Sequence, residues 1–310
     1  VALVLDVTGS MAWAGKMTAL KSATKSLLTQ LKSAASKNGD VYVSIIPFNK
    51  DVNVGASNYN KDGIEWSDWY DDNGSWEYVQ NCSNGGGRRS RRGRSRCNGS
   101  NQWVEANHNT WNGCITDRGP ANAPGNSTWD QVVTLPDGTD DSKWPAEEYS
   151  SCPVEMMGLS YNWTAMNSLV DSMQPNGSTN QPIGLVWGWQ SLVGGGPLTA
   201  PPMDSNYKYQ QIIILLSDGM NTADRWYSSQ TPVDNRMVQT GNGSGTCANI
   251  KGSGITIYTL QVNTGNDPTS TVMKNCASDS DKFFLVTQAS DISTAFTAIG
   301  TNLTKLRVAK

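Results

Sequence analysis

The chain has 310 residues, with 24 Lys plus Arg against 27 Asp plus Glu and a formal net charge of −3. That length accommodates one large domain or two ordinary ones, and the near balance of charge excludes a global electrostatic case for nucleic acid or an anionic membrane surface. No apolar run reaches the roughly eighteen residues that a membrane-spanning helix needs, and no signal peptide is present.

Residues 1–7 (VALVLDV) form a continuous apolar run that ends near an Asp, the pattern of a parallel strand buried on both faces. Because the chain opens inside this run and without Met, it is expected to be a piece of a longer protein. Any membrane or targeting segment is then expected before residue 1. A helix is predicted over 15–36, with Met17, Leu20, Leu27, Leu28 and Leu31 on one face. Residues 41–48 (VYVSIIPF) read as a second strand, and 51–54 as a short edge strand.

Between about 55 and 159 the periodicity dissolves. This stretch holds seven of the twelve Trp (66, 69, 76, 103, 111, 129 and 144) and four of the six Cys. A structureless loop of that length does not fit a compact domain. It is read as an inserted, irregular subdomain whose Trp form a small core. Inside it, Gly85–Arg96 (GGGRRSRRGRSR) is a low-complexity basic run, read as a solvated loop that carries Arg88, Arg89, Arg91, Arg92, Arg94 and Arg96.

Regularity returns near 160. A helix over 161–173 stops at Pro175-Asn176-Gly177, and another over 181–193 is capped by Thr179 or Asn180 with Pro182 in its first turn. Residues 210–217 are the most apolar strand and run into Asp218-Gly219. A helix near 234–251, which Gly241, Gly243 and Gly245 must shorten or break, precedes strand 255–262. A short helix near 269–277, strand 282–286 and a last helix over 290–308 complete the chain. Such alternation predicts an α/β fold: a doubly wound, mostly parallel sheet of Rossmann-like layout, built from residues 1–54 and 160–310.

None of the six cysteines forms a C-x-x-C pair and His108 is the sole histidine, which argues against zinc. Disulfides in an oxidising compartment fit better. The domain organisation favours the pairs Cys82–Cys97, Cys114–Cys152 and Cys247–Cys276.

Three short oxygen-bearing loops stand out. They are Asp6-Val7-Thr8-Gly9-Ser10-Met11 after the first strand, Gly177-Ser178-Thr179-Asn180 at a helix start, and Leu216-Ser217-Asp218-Gly219 after the most buried strand. Ligands of doubly wound sheets bind beyond the carboxyl ends of the strands, so all three can converge on one rim. Two carboxylates and three hydroxyls are hard oxygen donors suited to a cation such as Mg²⁺. Neutral hydroxyls leave that ion much of its charge, free to attract an acidic group on another molecule. Catalysis finds less support. A phosphoryl-transfer Asp needs a second carboxylate two residues on, where Thr8 stands, and a hydrolase would have to use His108 in a Gly/Asn-rich loop.

The D-x-[S/T]-x-S loop, the later Thr and the later Asp together resemble the metal-ion-dependent adhesion site of von Willebrand factor A (vWA) domains. That resemblance implies Thr8, Ser10 and Thr179 as hydroxyl ligands, with Asp6 and Asp218 binding directly or through water. Thr8 stands where Ser is more usual. The segments VSIIPFNKDVNVG, TWNGCITDR, TNQPIGLVWGWQSL, ILLSDGMNTADRWY, GITIYTLQVN and NCASDSDKFF are further similar to the A-domain region of TadG-like proteins of bacterial Flp/Tad pilus assembly. The Arg-rich run is foreign to that pattern. The resemblance implies a non-catalytic, metal-dependent binding domain. It would be extracytoplasmic and membrane-anchored in the full-length protein, with Mg²⁺ (or Mn²⁺ or Ca²⁺) bridging to an acidic residue of a pilus or cell-envelope partner. The competing reading is a carbohydrate-binding or structural envelope module that acts through the Trp-rich insertion.

Overall fold

The structure, a computed structural model, describes residues 1–83, 96–120, 131–206, 208–238 and 245–305. In chain order the first half runs β1 (Ala2–Asp6), α1 (Lys16–Ala34), β2 (Val43–Phe48), β3 (Val52–Asn53), β4 (Ile64–Glu65), α2 (Ser67–Asp72), β5 (Gly74–Ser83), β6 (Arg96–Glu105), β7 (Cys114–Ile115), β8 (Trp144–Pro145) and β9 (Met157–Ser160). The second half runs α3 (Trp163–Ser172), α4 (Gln181–Val193), β10 (Ile212–Ser217), α5 (Gln230–Met237), α6 (Thr246–Gly252), β11 (Thr256–Val262), α7 (Thr271–Cys276), β12 (Phe283–Val286) and α8 (Asp291–Lys305).

One eight-stranded sheet has the order β12-β11-β10-β1-β2-β3-β7, with β9 also paired to β2. The five strands from β12 to β2 are parallel, and β3, β7 and β9 join through antiparallel pairs. This is the doubly wound, mostly parallel α/β sheet that the alternation predicts. From β1 the chain winds first to β2 and later to β10 on the other side, so the switch point lies between β1 and β10.

Successive side chains of β1 serve opposite faces. Leu3 and Leu5 pack with Leu20, Leu27, Ile214, Leu216 and Phe296 under α1 and α8. Ala2 and Val4 pack with Phe48, Ile183, Trp187, Ile213 and Leu215 under α4. All five β1 residues and all six of β2 and of β10 are buried, which explains why the runs read as continuously apolar.

Helix α4 is buried on twelve of its thirteen residues. A helix apolar all round needs cover on every side. The sheet covers one side closely: a Cβ on Gly188 would lie 2.5 Å from a Val4 methyl, and one on Gly184 2.8 Å from the Phe48 ring. Residues 55–159 cover another, since Trp69, Trp111 and Trp144 are buried in the same core as Trp187, and Trp144 sits 5.2 Å from Trp187 between ring centroids. Trp69, Trp111 and Trp144 therefore join the main core, and β7 and β9 join the main sheet. Trp187 and Trp189 are both buried.

Two features depart from the sequence reading. Residues 74–83 and 96–105 form a long antiparallel hairpin, which the sequence does not announce. Trp76 and Tyr78 on it are 70% and 67% exposed, so no buried face writes an alternating pattern into it. The helix expected near 234–251 starts earlier, at Gln230; it is broken as its glycines imply, with α5 ending at Met237 and α6 starting after Gly245.

Disulfides join Cys114 to Cys152 and Cys247 to Cys276. The hairpin sets Cys82 opposite Cys97 in register. Their side chains lie outside the described residues, as do Trp129, Gly241, Gly243, Leu306 and the side chains of the basic run. Among the described residues no helix is long and apolar enough to cross a membrane.

Candidate metal centre at the switch point

Asp6 ends β1 and Ser217 ends β10, so the first and third loops leave the sheet on either side of the switch point. Backbone bonds lash the three loops together. Gly9 N–H donates to Gly177 O at 2.9 Å and Asn176 N–H to Val7 O at 2.8 Å. Thr222 N–H donates to Thr179 O at 2.9 Å, and Thr179 N–H donates to the Thr222 hydroxyl at 2.8 Å. Gly177, at φ +79°, takes the left-handed turn that starts this loop.

The side chains form a chain of their own. Thr8 N–H donates to Asp6 Oδ1 at 2.8 Å, and Thr8 Oγ1 lies 3.0 Å from Ser10 Oγ. Ser10 Oγ in turn donates to Asp218 Oδ1 at 2.7 Å. Ser217 Oγ donates to Asp6 Oδ2 at 2.5 Å and receives Gln181 Nε2 at 3.1 Å. Asp6, Thr8, Thr179 and Asp218 are buried, while Ser10 is exposed and opens the cluster to solvent. Four of the five predicted residues are thus linked by side-chain contacts, and Thr179 enters through its backbone. Among the described residues no three His, Cys, Asp or Glu side chains gather to hold a metal ion, so a site here must draw on hydroxyls.

Burial and the nearby charge of Asp218 push the Asp6 carboxyl up to about 7. Two buried carboxylates that raise each other's cost of ionisation call for a positive charge nearby. One is present that the sequence reading missed: the Lys16 ammonium, which donates to Asp218 Oδ2. Lys16 is the first residue of α1, where the helix dipole disfavours a cation. A lysine at a helix start, ten positions after a strand-end Asp, was the available signal.

Behind the rim lies a second charged cluster that the sequence does not reveal. Arg236 donates to Asp117 Oδ1 at 2.6 Å and Asp224 Oδ2 at 2.9 Å, and Asn180 donates to Asp117 Oδ2 at 2.7 Å. Asn180 also caps α4 and directly follows Thr179. His108 sits apart from both clusters in its bonding: it stacks on Trp66 at 3.7 Å and contacts Glu105 at 2.7 Å.

Asp51 is fully buried, its two carboxylate oxygens have no hydrogen-bond partner among the described residues, and Lys50 Nζ is 3.6 Å away. Burial first, then the charge of Glu147, holds its carboxyl well above the usual range. A raised folded-state value means that this group's contribution is full below the unfolded value and is lost as pH rises through the folded one. Asp51→Asn is therefore expected to match the parent near pH 4 and to exceed it at pH 8 by about 1–3 kcal/mol, read from denaturation midpoints at both pH values.

No protein-family model matches the chain, and no curated protein matches it in sequence. Among solved structures it is similar to the von Willebrand factor domain of the type V pili tip protein Mfa5 from Porphyromonas gingivalis, with 9% identity, TM-score 0.49, and 100% of this chain and 95% of that chain covered. The open conformation of pilus adhesin SpaC from Lactobacillus rhamnosus GG is similar at 14% identity and TM-score 0.48, over 98% of this chain and 30% of that one. Proximal thread matrix protein 1 from the mussel byssus, with a zinc-occupied metal-ion-dependent adhesion site, is similar at 12% identity and TM-score 0.43, over 98% and 45%. This chain spans less than half the length of the last two, and at such identities no residue role passes from any of them.

Proposed function

We propose that this rim holds one divalent cation through Asp6, Thr8, Ser10, Thr179 and Asp218 and uses it to bind a carboxylate on a protein partner. The observation that carries the reading is the side-chain chain from Asp6 through Thr8 and Ser10 to Asp218, at the switch point of a doubly wound sheet. The donors suit a hard cation: two carboxylates that disfavour each other's charge, beside neutral hydroxyls. Such an ion keeps positive charge to offer, and Ser10 marks the side open to solvent. Mg²⁺ is the ion proposed, with Mn²⁺ and Ca²⁺ as alternatives. The role is binding, not catalysis.

The sequence resemblance to TadG-like proteins supports placing the partner among pilus or cell-envelope components. The two disulfides support an oxidising, extracytoplasmic setting. A second reading draws on one observation: the exposed Trp76 and Tyr78 of the hairpin offer ring faces on which a sugar can stack.

Thermal unfolding with and without Mg²⁺ or Mn²⁺ tests the first reading. At about a hundred times the dissociation constant, the ion is expected to stabilise the protein by about 2.7 kcal/mol, and Asp6→Ala is expected to abolish the shift. An unchanged shift in the variant contradicts the assigned ligands. Glycan binding that persists in EDTA and is lost on Trp76→Ala favours the second reading.

A further inference from the structure

We propose that Lys16 is a tethered competitor of the divalent cation: its ammonium occupies Asp218 when the metal is absent and must be displaced, or pushed aside, when the metal enters. The inference rests on the metal reading above and adds the residue that sets the site's affinity. Lys16 is 8% exposed, and its ammonium contacts Asp218 Oδ2 while Ser10 holds the other oxygen of the same carboxylate.

Two features argue against an incidental surface pair. The first turn of a helix is an unfavourable place for a cation, because unpaired N–H groups already make it positive. A lysine kept there and nearly buried therefore needs a local anion, and Asp218 is the one it contacts. The carboxylate it neutralises is joined to Asp6 through Ser10 and Thr8, so the ammonium supplies a positive charge to the rim when no metal is bound.

The same positive charge opposes a second cation at the same carboxylate. Charges a few ångströms apart inside a protein interact by several kcal/mol even with strong screening, so the opposition is large. Lys16 thereby keeps the metal-free rim folded while holding the metal affinity down. A cation held weakly by the protein alone binds more firmly once a partner's carboxylate adds negative charge. Metal and partner then reinforce each other by reciprocal coupling.

The test is a calorimetric titration of Mn²⁺ into the parent, Lys16→Met and Lys16→Arg. Methionine keeps an unbranched stem without the charge, and arginine keeps the charge. Lys16→Met is expected to bind Mn²⁺ at least about tenfold more tightly than the parent, and Lys16→Arg to stay within about threefold of it. Lys16→Gln gives the same ordering should methionine pack poorly. Unfolding separates this role from a structural one. Lys16→Met is expected to melt below the parent in EDTA and to recover at saturating Mn²⁺, whereas a merely structural lysine lowers both alike. Binding to Lys16→Met that equals or falls below the parent's overturns the inference and leaves the metal reading standing. Absence of Mn²⁺ binding in the parent and in both neutral variants overturns the metal reading itself.

Discussion

Replacing Arg236 with methionine is expected to lower stability by about 3–5 kcal/mol. Arg236 is 2% exposed and bonds Asp117 and Asp224, which are 4% and 6% exposed. Losing the guanidinium leaves two buried carboxylates facing each other. Asp224 already feels this strain: burial, then the charge of Asp117, raises its carboxyl above the ordinary range, and Arg236 pulls it back. Arg236 also lies 3.5 Å from Asn180 Oδ1, next to Thr179, so the variant is expected to weaken the metal rim as well. Adding Asp117→Asn removes one of the stranded charges. The double variant is therefore expected to be more stable than the sum of the single losses, as measured by denaturant midpoints in a double-mutant cycle. Additive losses contradict the network.

Trp144→Ala is expected to cost about 3–5 kcal/mol. Trp144 is 2% exposed, stands 5.2 Å from Trp187 of α4, and carries the Arg118 guanidinium 4.9 Å above its ring. It lies in the 55–159 stretch, yet it packs into the core that β1 and β10 share. If that stretch were an appendage, its largest truncation would leave the melting of the rest untouched. Packed as it is, α4 should lose protection along its length, read by amide hydrogen exchange over Gln181–Val193. Exchange unchanged in α4 contradicts this account of the core.

Much of the sheet was legible because a parallel strand buried on both faces writes a solid apolar run, as in Ala2–Asp6 and Ile212–Ser217. The rim loops were legible because three oxygen-bearing loops stand in order at strand or helix ends, although Asp and Ser singly are ordinary cap and turn residues. Their convergence followed from the winding rule and not from any local pattern. Lys16 escaped notice because, one residue into an amphipathic helix, it reads as another solvated lysine beside Lys21 and Lys25. Asp117, Asp224 and Arg236 were invisible because they are distant in the chain and individually ordinary. The hairpin and the short strands β7 and β9 were missed for want of length or of a buried face. Residues whose partners are local announce themselves, and those that meet only through the fold do not.

The central claim is that one divalent cation binds at the switch point. Electron paramagnetic resonance of free Mn²⁺, titrated against the purified chain at neutral pH, counts bound ions directly. One bound ion per chain, lost in both Asp6→Ala and Thr179→Ala with their fold intact by circular dichroism, is the predicted result. No bound ion in the parent at millimolar Mn²⁺, or a bound ion that survives both substitutions, contradicts it.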